Sequence, residues 1–333
     1  MRKLILHAGR HKTGTTTLQK FLYKNPEILE KYGYQYPRYA INGDAHHELG
    51  AALNKHGKSV SDVQSKNCLV NHSRGLNQEI DKNPELTPVL SSESLQQCDP
   101  ETVKKFFCNF DIEVVLYIRE ETGYLLSAYA QRVQASNYTG SMSDFYKSTF
   151  ARDYRHFVIS WSEVFGSSFS LKRYVRKDLI NHDIVHDFVT GVLRIPKDEI
   201  DSTYKHNDEN PTLTADLLAY KLLINQNTNI PSNHLKLLYS SFNKLALEPE
   251  FELVKIPEVM LNDIRLRFQK SNNWIAQEFF NRDYLFEPFT DDLRIGENNV
   301  TNNDLNKVRA KLVNLHPELE SSLPLPDTSL GNF

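Results

Sequence analysis

Residues 3–19 read KLILHAGRHKTGTTTLQ and predict a strand, a glycine loop and the start of a helix. The apolar run before the loop has the composition of a buried parallel strand, and Leu18 and Leu22 recur after it at helical spacing. Gly9 and Gly14 keep the G-x-x-x-x-G spacing of a phosphate-binding loop, in which glycines let backbone amides turn toward an anion. The stretch therefore predicts an anion site at the amino end of a helix.

The cation of this loop lies at an unusual position. A Walker loop has lysine directly after the second glycine, whereas here Thr15 follows Gly14 and Lys12 lies two residues before it. Thr15, Thr16 and Thr17 place hydroxyls and amides at the helix start, where the helix dipole favours an anion by roughly 0.3–1 kcal/mol. A simple glycine-threonine helix cap is the alternative, but it gives no reason for Lys12 inside the loop.

A second stretch predicts another phosphate contact. Residues 112–118, IEVVLYI, have the β-branched composition of a strand, and Arg119 follows directly. A predicted helix comes next and carries Ser127, eight residues after the arginine. Arginine supplies a permanent charge with a fork of donors and serine supplies a short hydroxyl, a pair that suits a phosphate monoester.

These two stretches resemble the two signatures of sulfotransferases that use 3′-phosphoadenosine 5′-phosphosulfate (PAPS), above all bacterial, carbohydrate-sulfotransferase-like members. The resemblance covers about the first 190 residues. It implies that the loop binds the 5′-phosphosulfate and that the second stretch binds the 3′-phosphate. The residues so implied to bind the cofactor are Arg10, His11, Lys12, Thr13, Gly14, Thr15, Thr16, Thr17, Arg119 and Ser127.

The resemblance also implies a fold. We expect a P-loop-type three-layer α/β sandwich with a mostly parallel central sheet. The chain is predicted to be a single domain over 1–333, with its core at about 1–195 and a mostly helical C-terminal part at about 196–333. Within this frame residues 143–165 predict one long amphipathic helix, and residues 212–225, 232–246, 257–280 and 304–315 predict helices.

Glu93 is the predicted general base. It follows a short predicted strand at 87–92, and ligands of open α/β sheets collect outside the carboxyl ends of the strands. Cytosolic members of the resembled family have a catalytic histidine at a comparable place, whereas carbohydrate sulfotransferases often use a glutamate. We expect burial to raise the pKa of Glu93, with Lys12 opposing the rise.

His46 and His47 compete with Glu93 for the role of base. They begin a predicted helix at 44–55, and a histidine has an unperturbed pKa close to working pH. Two successive histidines point in different directions on a helix, which argues against a shared metal site. Polar surface histidines and acceptor-binding residues are the two interpretations left open.

The predicted reaction is transfer of the sulfuryl group of PAPS to an acceptor hydroxyl or amine, most naturally on a carbohydrate or glycolipid, with adenosine 3′,5′-bisphosphate as product. Lys12, Glu93 and His47 are the candidate catalytic residues, and no metal is expected. Two alternatives stay open: a P-loop kinase using ATP and magnesium, and a nucleotide- or carbohydrate-binding protein without turnover.

Composition limits the partners. The chain has 333 residues, with 39 Lys plus Arg against 42 Asp plus Glu and a net charge of −3, so we expect neither nucleic acid nor an acidic membrane as partner. Three cysteines, Cys68, Cys98 and Cys108, lack metal-ligand spacing and suit a reducing compartment. No apolar segment is long enough for a signal peptide or membrane span, and a cytoplasmic protein is therefore predicted.

Overall fold

The computed structural model describes residues 1–9, 12–57, 63–149, 153–204, 212–226, 230–249, 251–289 and 292–326. Its central sheet has five strands in the order β2-β3-β1-β4-β5, and every pair of neighbours is parallel. The strands are β1 (Arg2–His7), β2 (Tyr34–Gln35), β3 (Thr87–Ser91), β4 (Phe110–Ile118) and β5 (Phe169–Arg173). The expectation of an α/β fold around a parallel sheet is confirmed.

The residues of the chain group into two compact units. The first unit comprises Met1–Glu120, Asp153–His206 and Ser271–Phe286, and it contains the sheet. The second unit comprises Glu121–Arg152, Asn207–Lys270 and Glu287–Phe333. The predicted boundary near residue 195 coincides with none of these breaks, and the single domain stays a prediction.

Side chains along the strands of the first unit alternate between the two faces of the sheet, and each face has its own buried cluster. Leu4 and Leu6 of β1 belong to one buried cluster, whereas Ile5 between them belongs to the other. Val114 and Val115 of β4 divide between the clusters in the same way. Helices on both faces complete an arrangement consistent with three layers.

The helices of the first unit cover these two faces. On the face of Ile5 lie α1 (Thr15–Lys24), α2 (Pro26–Lys31), α9 (Ile184–Gly191) and α10 (Lys197–Asp201). On the face of Leu4 lie α3 (His47–Gly57), α4 (Val63–Ile80), α5 (Pro100–Phe106), α8 (Tyr154–Phe165) and the last turns of α13 (Glu258–Phe280).

The second unit is helical and has its own buried cluster. Its helices are α6 (Glu121–Ala135), α7 (Met142–Thr149), α11 (Ala215–Gln226), α12 (Ser232–Leu245), the first turns of α13, and α14 (Asn302–Leu315). α11 is buried almost all round, because Leu217, Leu218, Tyr220 and Ile224 point in several directions and are all excluded from solvent.

One predicted helix is wrong. The run at 143–165 is divided into α7, which ends at Thr149, and α8, which begins at Tyr154. Asp153 has extended backbone and its carboxylate accepts from the backbone N–H of His156, as an N-cap residue does. An aspartate within the aromatic stripe therefore begins a new helix.

Candidate active site

Three predicted site segments follow the carboxyl ends of adjacent strands in the first unit. The loop follows β1, Glu93 follows β3 and Arg119 follows β4. In the sheet register His7 pairs with Ser91 of β3 and with Val115 of β4, so these strands reach similar heights in the sheet. The carboxyl ends of parallel strands meet at one edge, where open α/β sheets bind their ligands.

The loop needs glycine at both ends of its motif. Gly14 is the N-cap of α1 with φ of +71°, a left-handed conformation that L-residues with side chains rarely adopt. A Cβ on Gly14 would also lie 2.9 Å from Ile184 Cγ2. A Cβ on Gly9 would lie 2.5 Å from Thr15 Cγ2, closer than real carbon contacts allow. Glycine at these positions therefore lets the loop backbone pack closely against Thr15 and Ile184.

The amino end of α1 lacks a side-chain cap from its N-cap residue, Gly14. No side chain caps the helix, and its first turn holds no acidic residue. Thr15 is buried, Thr16 is exposed and Thr17 is half-buried. Uncapped amides together with the helix dipole favour an anion here.

Lys12 and Arg119 bring two cations together just before the N-cap of α1. Lys12 has φ of +68°, and the Arg119 guanidinium donates to the Lys12 carbonyl at 2.8 Å while lying over the Tyr174 ring, 5.8 Å from its centroid. Burial, together with the charge of Arg119, lowers the pKa of Lys12 to about 8. In the part of the chain that the structure describes, no carboxylate forms an ion pair with either side chain. Two cations that have no carboxylate partner among the described residues are a candidate anion site.

Glu93 begins a 3₁₀ helix at Glu93–Gln97, and its side chain is hydrogen-bonded to two residues of α1. Its Oε1 accepts from the Thr15 hydroxyl, and its Oε2 accepts from Gln19 Nε2 at 3.0 Å. Only 6% of the residue is exposed. The structure thus brings Glu93 to the first turn of the loop helix, as expected from its position after a strand.

The expected direction of the Glu93 pKa is wrong. Burial does act to raise the pKa, but the hydrogen bonds from Gln19 and Thr15, the bond from its own backbone and the charge of His47 outweigh burial, and the pKa is lowered. Donors to the carboxylate favour its charged form. Glu93 is therefore ionised at neutral pH but is a weaker base than the sequence led us to expect.

His47 is the histidine that shares this cluster. Its Nε2 lies 3.5 Å from Glu93 Oε2, its Nδ1 lies 3.0 Å from Ser92 Oγ, and 38% of its side chain is exposed. It is the first residue of α3. Solvent can reach its ring beside the nearly buried carboxylate.

His46 is not available as a base. It is fully buried, its Nδ1 accepts from the Ser91 backbone N–H at 3.2 Å, and its Nε2 lies 2.8 Å from the Pro37 carbonyl, to which it donates. These partners assign a neutral ring with its proton on Nε2. Burial lowers the pKa of His46 to about 4. The open interpretations as surface or acceptor-binding residue are both wrong for His46, which is structural.

Sequence reasoning missed Gln19 and Ser91. Gln19 lies four residues after Thr15 and therefore on the same face of α1, where both side chains reach Glu93. Ser91 Oγ accepts from Gln19 Nε2 at 3.1 Å and lies 2.8 Å from His7 Nδ1. The i, i+4 spacing was visible in the sequence, but the partner residue on β3 was not.

The described structure tests only some of the predicted cofactor residues. Arg10 and His11 lie outside the described residues. Ser127 lies half-buried on α6 in the second unit, so its pairing with Arg119 stays a prediction. Thr13 is described and is buried, 1% exposed.

Other features of the described chain lie away from this edge. A cavity of about 470 Å³ is lined by Met1, Lys104, Phe110 and Ile112 among others, at the amino ends of β1 and β4, and no described site residue lines it.

Among the described residues, no group of three or more His, Cys, Asp or Glu is arranged to hold a metal ion. No helix in the described ranges has both the length and the apolar character needed to cross a membrane.

Comparison of the chain with protein-family models, with curated proteins and with solved structures found no match. The interpretation of the site therefore depends on its own residues and geometry.

Proposed function

We propose that this chain is a P-loop-type sulfotransferase that moves the sulfuryl group of PAPS to an acceptor hydroxyl or amine. The observation that carries the proposal is the pair of cations Lys12 and Arg119, which have no carboxylate partner within the described ranges and lie near a helix start without a side-chain cap. PAPS carries anionic groups that such a site would neutralise. The carboxylate of Glu93 accepts a hydrogen bond from Thr15 in the first turn of that helix. It therefore supplies a proton acceptor close to the helix start.

Each residue then has a chemical role. The acceptor oxygen or nitrogen forms a bond to sulfur while the bond from sulfur to the 5′-phosphate oxygen breaks, and that oxygen keeps the electron pair. The Lys12 ammonium stabilises the negative charge that builds on the departing oxygen, and the loop amides of Thr15 to Thr17 bind the phosphate. The acceptor proton passes to Glu93 or His47.

The acceptor is proposed to be a carbohydrate or glycolipid hydroxyl. The support is Glu93 itself, since a carboxylate at this place resembles the carbohydrate-sulfotransferase pattern. The half-exposed ring of His47 beside it would face the acceptor from the solvent side. Arg119 is proposed to bind the 3′-phosphate, and the protein is proposed to act in the cytoplasm.

Calorimetry with three nucleotides tests the donor site. Adenosine 3′,5′-bisphosphate should bind more tightly than adenosine 5′-phosphate by on the order of 1.5–3 kcal/mol, the range for a hydrogen bond to a charged group. Lys12→Ala should weaken binding, whereas Lys24→Ala, which removes an exposed lysine from the other end of α1, should not. Tight binding of ATP with magnesium and none of the bisphosphate would point to a kinase instead.

Transfer of radiolabelled sulfate from PAPS to a set of oligosaccharides and glycolipids tests turnover. Label should appear in at least one acceptor with wild type and much more slowly with Lys12→Ala. Bisphosphate binding without transfer to any hydroxyl or amine acceptor would favour a binding protein over an enzyme.

A further inference from the structure

Gln19 is a buried amide whose nitrogen bonds two partners on another segment. It lies on α1 with 3% of its surface exposed. Its Nε2 donates to Glu93 Oε2 at 3.0 Å and to Ser91 Oγ at 3.1 Å. A side-chain amide nitrogen carries two hydrogens, so these two bonds use both of them. Gln19 thus joins the last residue of β3 to the first residue of the 3₁₀ helix that follows it.

The Glu93 carboxylate fixes which way the Gln19 amide points. An ionised carboxylate only accepts hydrogen bonds. A flipped amide would set the Gln19 oxygen against Glu93 Oε2, and two acceptors facing each other in a buried site repel strongly. The Gln19 nitrogen must therefore face Glu93, and this holds whichever way the Ser91 hydroxyl proton points.

Gln19 and Thr15 hold different oxygens of the same carboxylate. Thr15 donates to Oε1 and Gln19 donates to Oε2, and the two donors lie one turn apart on one face of α1. A single donor would leave the carboxylate free to turn about that bond, whereas two donors on one rigid helix fix its plane. An ionised carboxylate accepts about four hydrogen bonds, so these two leave room for a further donor.

The oxygen that Gln19 holds lies on the side of His47. His47 Nε2 is 3.5 Å from Glu93 Oε2, and 38% of the His47 side chain is exposed against 8% of the Glu93 side chain. Solvent therefore comes closest to the carboxylate past the His47 ring. An acceptor that enters from solvent along this side meets Oε2.

We propose that Gln19 is a positioning residue for the transfer reaction: its amide, anchored on Ser91, holds Glu93 so that Oε2 receives the acceptor proton on the side of His47. The O–H or N–H bond of the acceptor breaks toward Oε2, and its electron pair stays on the acceptor atom that attacks sulfur. Gln19 itself exchanges no proton. The inference rests on the proposed function for the reaction, whereas the effect of Gln19 on Glu93 can be measured without turnover.

The Gln19 amide also opposes the effect of burial on Glu93. Burial acts to raise the pKa of Glu93, and the hydrogen bond from Gln19 acts to lower it, followed by the bond from Thr15. Without the amide, burial is less opposed, so the pKa of Glu93 must rise and less of the carboxylate is ionised at mildly acid pH. A side chain that only filled space could be replaced by another of similar size without moving this titration.

Other titratable groups of the described chain also influence the Glu93 carboxylate. They are His47 of α3, His7 of β1 and Tyr36. All three are present in wild type and in Gln19→Met. The difference between the Glu93 titration midpoints of the two proteins therefore reports the loss of the Gln19 amide.

Gln19→Met tests the proposal, because methionine has a similar length and no amide. The probe is the carboxyl ¹³C resonance of Glu93 in the nucleotide-free protein, assigned by its absence from Glu93→Gln. Its titration midpoint should lie below the ordinary value of 4.5 in wild type and should be higher in Gln19→Met. Gln78→Met changes an exposed glutamine of α4 in the same unit and should titrate as wild type. Equal midpoints in wild type and Gln19→Met would overturn the proposal.

Steady-state kinetics with PAPS and the best acceptor measures the effect on transfer. The kcat of Gln19→Met should fall by roughly 10- to 100-fold, since misplacing a reacting group by about 1 Å can cost a factor of about 10². The KM for PAPS should stay close to that of wild type, because Gln19 acts on Glu93 and not on the nucleotide. A normal kcat with a raised KM contradicts the positioning role.

Wild type itself provides a second test, which covers the case in which Gln19→Met does not fold. The ¹⁵N and ¹H resonances of the Gln19 side-chain amide should shift with the same midpoint as the Glu93 carboxyl, because protonation weakens a charge-assisted bond. Amide resonances that ignore the Glu93 titration contradict the proposal. A raised midpoint in Gln19→Met without sulfate transfer by wild type would sink only the proposed function, whereas transfer with equal midpoints would sink only the role of Gln19.

Discussion

Lys12 combines two unfavourable features at one residue. Its left-handed backbone costs of the order of 1–2 kcal/mol for a residue other than glycine, and its ammonium is partly buried beside the Arg119 guanidinium. The Arg119 bond to the Lys12 carbonyl holds the strained backbone in place. A bound anion would relieve the repulsion between the two cations, which is the physical reason to expect binding here.

Lys12→Ala should lower kcat by roughly 10²- to 10³-fold, as loss of one preorganised charge stabiliser does in other enzymes. Steady-state kinetics with PAPS and the best acceptor measures this, with Lys24→Ala as control. A normal kcat with only a raised KM would mean that Lys12 binds ground and transition states equally.

The affinity of wild type for adenosine 3′,5′-bisphosphate should fall as pH rises through about 8. The pKa of Lys12 is lowered to about 8 in the free protein, so the ammonium that attracts the anion is present below that pH and is lost above it. Calorimetry between about pH 7 and 9 measures the change. Lys12→Ala should show a flat profile over the same range, and a wild-type profile equally flat would contradict the role of the ammonium.

Glu93→Gln should lower kcat by at least about 10²-fold while leaving nucleotide affinity near that of wild type. The substitution keeps the shape and removes the charge that Thr15 and Gln19 now stabilise. Parallel kinetics on His47→Asn separates the two candidates, because His46 is structural. Turnover of Glu93→Gln within a few-fold of wild type, with a large loss in His47→Asn, would assign the base to His47.

At the scale of elements, two features made helices hard to predict from the sequence: a helix cap inside a continuous apolar stripe, and a helix with few buried residues. The aromatic stripe of 143–165 continues through both α7 and α8, and only the cap at Asp153 marks the second helix. α4 has 18 residues but only Ser65, Leu76 and Ile80 are buried, so it carries little apolar periodicity. Helices that pack through few residues are hard to predict from pattern alone.

Lys221 on α11 is a buried lysine whose lowered pKa can be tested through the pH dependence of the free energy of unfolding. The side chain is nearly excluded from solvent, its ammonium donates to Asn225, and burial lowers its pKa to about 8. The unfolded chain has the ordinary value near 10.5, so the neutral form is favoured on folding. The free energy of unfolding should therefore rise between about pH 8 and 10, by up to about 3 kcal/mol for this shift.

Lys221→Met should lack that rise. Urea unfolding of both proteins at about pH 7, 8.5 and 9.5 measures it as the difference between wild type and variant. Lys236→Met, an exposed lysine of α12, is the control and should keep the wild-type slope. A pH-independent difference between wild type and Lys221→Met would show that the lysine titrates normally in the folded state.

At the scale of the whole molecule, the parallel sheet gathers the site. Because β3, β1 and β4 are neighbours and all parallel, segments as far apart in the chain as Lys12 and Arg119, which are 107 residues apart, end at one edge. A ligand held by all three segments stabilises the folded state against the unfolded chain.

Adenosine 3′,5′-bisphosphate should therefore raise the melting temperature of the protein. At a hundred times Kd the gain is about 2.7 kcal/mol, whichever residues bind the ligand. Scanning fluorimetry with equal concentrations of adenosine 5′-phosphate should show a smaller shift. Equal shifts for the two nucleotides would remove the basis for a 3′-phosphate contact at Arg119.

From the sequence by itself, the resemblance of two stretches to a known family predicted an α/β class with a mostly parallel sheet. Apolar periodicity and glycine spacing, which act over a few residues, predicted the first strand, the glycine turn after it and most of the C-terminal helices. The sequence also placed Glu93 after a strand and Arg119 after the next one along the chain. Tertiary structure alone decided that Arg119 holds the Lys12 carbonyl, that Gln19 and Thr15 lower the pKa of Glu93, and that His46 is buried while His47 is half-exposed. Hydrogen bonds and burial between distant segments depend on strand order and register, which no local pattern records.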